Sequence, residues 1–331
     1  MKKRIIFLLF SVFICLNGFS QKNQNFNEFE VQLKELMNLI FDAPTDNERF
    51  NANEKFIEVM DQVLSMNNSF NYPFSQLNRV SNLKSSDNKF RIFTWAVVSQ
   101  DRSYENFGFI QSKNEISGEY EVYKLNDKSE EIFNPEFDKC DNDNWFGAVY
   151  FELLTNKYED RTFYTLLGVD GNNIYTKRKV IEPILFKSRS GKPEFGANQF
   201  YRQKDKRRIV FEYNSEARFF MKWDNQYYED KQRGKKQSLI SSIFNKKSNQ
   251  IRTNAAEAPV VREEMIVYEV LEPMFEGLEG KTQFYVSSGY VNGFKFEKGR
   301  WRLVESVLPR NKEEKETPRI EVKSNQLYTP K

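Results

Sequence analysis

The sequence predicts an α+β fold that is mainly β: an N-terminal helical hairpin followed by a large antiparallel β-sandwich, barrel or curved meander. Two patterns carry this expectation. Apolar residues recur every three or four positions as far as residue 66, and then give way to aromatic and β-branched runs separated by turn residues. No long helical segment lies between those runs, so consecutive strands are expected to pair antiparallel.

Taken in order, Lys2, Lys3 and Arg4 precede an apolar run from Ile5 to Leu16 broken only by Ser11. Gly18 and Ser20 then supply small side chains at positions −3 and −1 of a signal-peptidase site. Spanning a bilayer takes about 20 apolar residues, and Asn17 ends this run too soon. Val12-Phe13-Ile14 before Cys15 lacks the small residues of a lipobox. A leader over residues 1–20 is expected, cut between Ser20 and Gln21, with no transmembrane segment in the mature chain. The destination is the periplasm, or alternatively the extracellular space.

Residues 21–88 read as a helical region. Phe29, Leu33, Leu36, Met37, Ile40 and Phe41 form one stripe, predicting a helix from Glu28 to Phe41 that Ala43-Pro44-Thr45-Asp46 ends. Phe50, Phe56, Ile57, Met60, Val63 and Leu64 predict a second from about Asn51 to Met66. The short connection makes the two antiparallel. Asn67 to Asn88, rich in Asn and Ser, reads as a connector.

Residues 89–308 read as the β domain. Strands are expected at 90–98, 107–111, 120–125, 147–155 and 162–169. Asp170-Gly171-Asn172-Asn173 follows as the strongest turn signal. Val180 to Phe186 is strand-like, with Pro183 pointing to an edge or a bulge. Runs at 208–213 and 218–223 flank Asn214-Ser215-Glu216 as a predicted hairpin. Runs at 265–271, 283–287, 293–297 and 301–307 complete the series, the last two joined by Lys298-Gly299-Arg300. A basic insertion at 231–256 and a charged tail at 309–331 have little to bury.

Composition removes most catalytic chemistries. The 331 residues include no histidine, which excludes Ser-His-Asp and Cys-His catalysis and His-ligated metals. Cleavage of the leader would leave Cys140 as the sole cysteine, too few for a disulfide or a zinc ribbon, and a buried small hydrophobe is the expected role. Removing Lys2, Lys3 and Arg4 from the 50 basic residues leaves 47, matched by 47 acids. A neutral mature chain does not indicate nucleic-acid binding, and no cofactor is expected.

Phe163 to Asn173 with Arg178 to Glu182, Lys192-Pro193-Glu194-Phe195-Gly196, Arg208 to Tyr213 and Gly293 to Trp301 together resemble a family of uncharacterised exported proteins of Gram-negative bacteria. The likeness covers roughly residues 88 to 308 and departs from the pattern at Val169 and at the basic insertion after Lys231. It implies export and a β architecture and carries no activity with it.

Carboxylates are the catalytic resource that survives. Glu152, Glu182 and Glu212 lie in or beside apolar strands, and two such groups in a cleft suffice for glycoside hydrolysis. An outward face with a Lys or Arg partner is the competing expectation for each. Asp170, Asn172 and Asn173 offer oxygens and amides to a ligand, or equally satisfy a turn. Asp138, Asp141 and Asp143 suggest a calcium loop, but Trp145 and Phe146 break the EF-hand pattern. Trp145 and Trp301, with Trp95 and Trp223, could stack on sugar rings or fill the core. Lys235, Lys236, Lys246 and Lys247 around Leu239 to Phe244 form a basic amphipathic stretch suited to anionic lipid. The functions expected are, in order, a non-catalytic binding or scaffolding module for an envelope glycan or protein, a carboxylate-dependent glycan hydrolase, and a membrane-surface protein.

Overall fold

A computed structural model of the chain describes residues 26–203, 205–230 and 259–307. Among these residues two helices, α1 (26–42) and α2 (Asp46–Leu64), precede fourteen strands arranged in three antiparallel sheets, none closed into a barrel. No helix among the described residues is long and apolar enough to cross a membrane.

The apolar stripe of α1 buries Leu33, Met37 and Ile40, and that of α2 buries Phe56, Met60, Val63 and Leu64. The second helix starts five residues before the expected position. Thr45 caps it: the Glu48 N–H donates to Thr45 Oγ1 at 3.3 Å and the Thr45 N–H donates to Glu48 Oε2 at 3.3 Å. Thr-Asp-Asn-Glu is thus a capping box, and the segment that ends one helix begins the next. Thr45→Ala is expected to cost about 0.5–2 kcal/mol, read as a lower urea midpoint with an unchanged slope.

The first sheet runs β1 (Ser81–Lys84), β2 (Phe90–Val98), β3 (Tyr104–Lys113) and β4 (Tyr120–Asn126), in that order. The second contains β5 (Cys140–Asp141), β6 (Val149–Tyr158), β7 (Arg161–Asp170), β8 (Thr176–Phe186) and β9 (Pro193–Phe195), ordered β5-β9-β8-β7-β6. Here β10 (Ile209–Asn214) also pairs with β8. The third is a meander of β11 (Met221–Glu229), β12 (Val260–Pro273), β13 (Tyr285–Glu297) and β14 (Arg300–Val304).

Strand alternation stacks these elements into four layers. Phe93, Trp95 and Val97 of β2 face the helices, while Phe90 and Ile92 face Tyr164 and Leu166 of β7 and Val180 and Ile184 of β8. The opposite face of the second sheet, with Leu167 and Ile181, packs on Met221, Ile266, Phe294 and Trp301 of the third. Each sheet therefore has apolar residues on both faces, which explains why a run such as Phe90 to Val98 shows no clean alternation of polar and apolar residues. On the helix side, Arg91 is buried and donates to the carbonyls of Phe70, Tyr72 and Pro73 and to Asn82 Oδ1. Burial pushes its guanidinium down to about 10, still charged at neutral pH.

Several expectations change on this scaffold. β1 lies inside the predicted connector and pairs with β2, so the helical region contributes a strand to the first sheet. The runs around Asn214-Ser215-Glu216 do not form a hairpin: β10 pairs with β8 in the second sheet and β11 with β12 in the third, so the chain crosses between layers there. The predicted strands at 283–287 and 293–297 are one strand, β13, whose pairing with β12 shifts register between Glu269 and Leu271. That irregularity interrupts the alternation and splits the apparent pattern. Pro183 is not at an edge. β8 pairs with β10 up to Ile181 and with β9 from Ile184, and Pro183 falls at the break, where its carbonyl accepts the Gly196 N–H at 2.8 Å. The missing proline N–H faces the same break, where no ladder bond is required.

Candidate binding cleft

Glu182 lies on the face of β8 between the first and second sheets, and it is consumed by the core. Its carboxylate accepts Arg208 Nε at 2.5 Å and the Tyr150 hydroxyl, and Trp145 Nε1 donates to that hydroxyl at 2.9 Å. Glu182, Arg208, Tyr150 and Trp145 are all 0% exposed. Burial and the Glu182 charge hold the Tyr150 phenol well above its usual range. Burial opposes the Arg208 charge, but Glu182 together with Cys140 and Tyr150 outweighs it and raises the guanidinium further. Cys140 lies nearby, buried, with its thiol pushed up chiefly by desolvation. A carboxylate so enclosed has no route to a substrate, so Glu182 serves structure rather than acid–base chemistry. Glu152 sits on the exposed stretch after Tyr150, at the register shift between β6 and β7, and the two are not brought together.

Asp170 and Asn172 are buried and act within the fold. Asp170 Oδ1 accepts the Asn172 N–H at 2.9 Å and Asn106 Nδ2 at 3.1 Å, and Oδ2 lies 3.4 Å from Arg178 Nη1. Burial raises the carboxyl above its ordinary value, against the lowering effect of those donors. Asn172, not Gly171, takes the left-handed conformation, with φ 51°. Gly171 is needed because a Cβ there would overlap the Tyr104 ring. Asn173 Oδ1 accepts the N–H groups of Tyr175 and Thr176, closing the turn.

The proposed calcium ligands are held by a side-chain cation. Lys192 Nζ lies 3.0 Å from Asp141 Oδ2 and 2.8 Å from Asp143 Oδ2, while Asp141 Oδ1 caps the N–H groups of Asp143 and Asn144. Asp138 contributes its backbone carbonyl to Arg208. Partial burial works against the Asp141 charge, but the Lys192 hydrogen bond and the backbone donors outweigh it and set the carboxyl below its usual range. A carboxyl lowered by folding stabilises the fold above the ordinary titration range, and the contribution disappears as pH falls through the lowered value. Lys192→Met should move the Asp141 titration upward, as followed by NMR of its carboxyl carbon. Trp145 and Trp301 are fully buried and present no face to solvent, so neither is a stacking platform. Ser20 and Gln21 lie outside the described residues, as do Lys235, Lys236, Lys246 and Lys247.

Glu212 alone of the three candidate acids reaches an open concavity. A cleft of about 470 Å³ lies between the second and third sheets, lined by Phe133 to Phe137, by Val210, Phe211 and Glu212 of β10, and by Leu271, Thr282 and Tyr285. Its size falls within the range of about 300–1,000 Å³ usual for small-ligand sites. Phe133 is 91% exposed and Phe137 is exposed as well. Phe211 is braced from behind by Tyr268 (centroids 4.6 Å apart) and Phe219 (5.3 Å), and the Tyr285 hydroxyl accepts the Gly280 N–H at 3.0 Å. Glu212 Oε1 accepts the Thr176 hydroxyl at 2.7 Å, and Oε2 lies 3.6 Å from Arg178 Nε. Glu136 pairs with Lys206 at 2.7 Å, and its Oε1 accepts the Val210 N–H of β10 at 3.4 Å.

The wall bearing Phe133 and Phe137 is clamped from inside. Arg208 Nη1 donates to the carbonyls of Pro135 and Asp138, the latter at 2.9 Å, and Arg207 Nε donates to that of Phe137 at 3.1 Å. The Arg207 N–H adds a bond of 2.7 Å to the Glu136 carbonyl. The buried Glu182–Arg208 pair thus supports the cleft without entering it. Sequence reasoning passed over this wall, although two aromatics flanking Asn134-Pro135 in a polar stretch signal a turn that exposes rings. No protein-family model, curated protein or solved structure matches this chain.

Proposed function

We propose that the chain is an exported protein of the Gram-negative periplasm that binds or scaffolds an envelope component, glycan or protein, without transforming it. One observation carries the reading: the concave site is walled by aromatic rings, and its two carboxylates are already engaged by cations and hydrogen-bond donors. Such a site offers contact area and orientation rather than a poised acid and base. The leader-like N-terminus and the resemblance to exported proteins supply the compartment.

The test is co-sedimentation of the purified chain with isolated envelope fractions, namely peptidoglycan sacculi and outer-membrane vesicles, while the supernatant is assayed for released fragments. Retention without release is expected. Turnover of any fraction would replace this reading with the second one, a hydrolase using Glu136 and Glu212, whose presence in one cleft is the observation in its favour. In that case Glu212→Gln should abolish turnover.

A further inference from the structure

Resting on the binding role proposed above, we infer that the cleft between the second and third sheets takes an uncharged, hydroxyl-rich glycan chain. The argument begins with charge. The charged side chains lining the cleft are Glu136 and Glu212, and no lysine or arginine lines it. An anionic ligand would meet two carboxylates with no facing cation. A strongly cationic one would have to compete with Lys206, 2.7 Å from Glu136, and with Arg178 behind Glu212. Each carboxylate thus already has a cation beside it, Glu212 sharing Arg178 with Asp170 and Glu130, and this favours a neutral occupant.

Hydrogen-bonding capacity narrows it further. An ionised carboxylate only accepts, and each oxygen can accept more than one bond. Both side chains keep about a quarter of their surface open, 25% for Glu136 and 28% for Glu212. The occupant must therefore present several donors, as adjacent hydroxyls of a sugar ring do. The same cleft is lined by Phe133, Phe137, Phe211 and Tyr285, flat apolar surfaces for the C–H faces of such rings. A polyol with one apolar face meets both demands, whereas an apolar peptide would leave the open carboxylate oxygens desolvated and unmatched.

The experiment titrates the full chain by calorimetry with neutral oligosaccharides (chitin, cellulose and maltose tetrasaccharides), with the deacetylated amine form of the chitin fragment, and with oligogalacturonate. Binding of at least one neutral oligosaccharide is expected, weakened about tenfold or more by Phe133→Ala and by Glu212→Gln, with the amine and uronate forms weaker. Phe133 is so exposed that its truncation should leave the thermal midpoint unchanged. Failure of every neutral probe, preference for the charged probes, or binding indifferent to both substitutions would overturn the inference. Envelope co-sedimentation separates the two levels. Retention that persists in Phe133→Ala removes the cleft but leaves the broader role standing, whereas a wild-type chain that is not retained removes the broader role.

Discussion

Arg208→Ala is expected to cost about 3–5 kcal/mol of folding stability, because it strands the Glu182 carboxylate in a fully buried site. The loss extends beyond the ion pair, since Arg208 also donates to the carbonyls of Pro135, Asp138 and Phe195. Glu182→Leu should be costly for the mirror reason, leaving a buried guanidinium with carbonyls alone. Combining Glu182→Leu with Arg208→Met removes both charges, and the double variant should lose clearly less than the sum of the single changes. Urea unfolding of the wild type, Glu182→Leu, Arg208→Met and the double variant measures the cycle, and strict additivity would show that the two groups do not act as a unit. Amide exchange over residues 133–138 should accelerate in Arg208→Ala, reporting the loosened cleft wall.

Trp301→Ala should be comparably severe, at about 3–5 kcal/mol for emptying a fully buried indole site. Trp301 joins two layers. Its ring packs on Trp223 and Phe296, its Nε1 donates to Thr165 Oγ1 in the second sheet at 3.0 Å, and its backbone pairs with Gln199 and Tyr201. Trp301→Phe separates volume from polarity. It keeps most of the apolar contact but removes the donor to a buried hydroxyl, for which about 1–3 kcal/mol is expected. Thermal and urea midpoints of the two variants should therefore fall in the order wild type, phenylalanine, alanine.

These two residues also show what was legible in advance. The helices and most strands could be read because their burial follows local periodicity: a stripe at three and four for Leu33, Met37 and Ile40, aromatic and β-branched runs for β2 and β7. The Lys298-Gly299 hairpin was readable because positive φ at both positions is a local demand. What escaped depends on contacts distant in sequence. β5 and β9, two and three residues long, are strands only by virtue of each other and of β8. Nothing near Glu182 announces that Arg208, 26 positions on, will neutralise it. Likewise, the cleft gathers segments near 133, 211 and 285 that no spacing rule connects. Trp145 and Trp301 were ambiguous because an amphipathic ring suits a ligand face and a core equally well.

The three sheets occupy consecutive stretches of chain, with strands spanning 81–126, 140–214 and 221–304. A polypeptide emerging from its N-terminus can therefore finish one sheet before the next is available. Each unfinished stage, however, leaves a bare apolar floor. After residue 214 that floor holds Leu154, Leu167, Ile181 and Ile209, all later covered by the third sheet. Nascent chains stalled near that length should be sticky, and the interval before β11 to β14 arrive is when a holding chaperone would matter most.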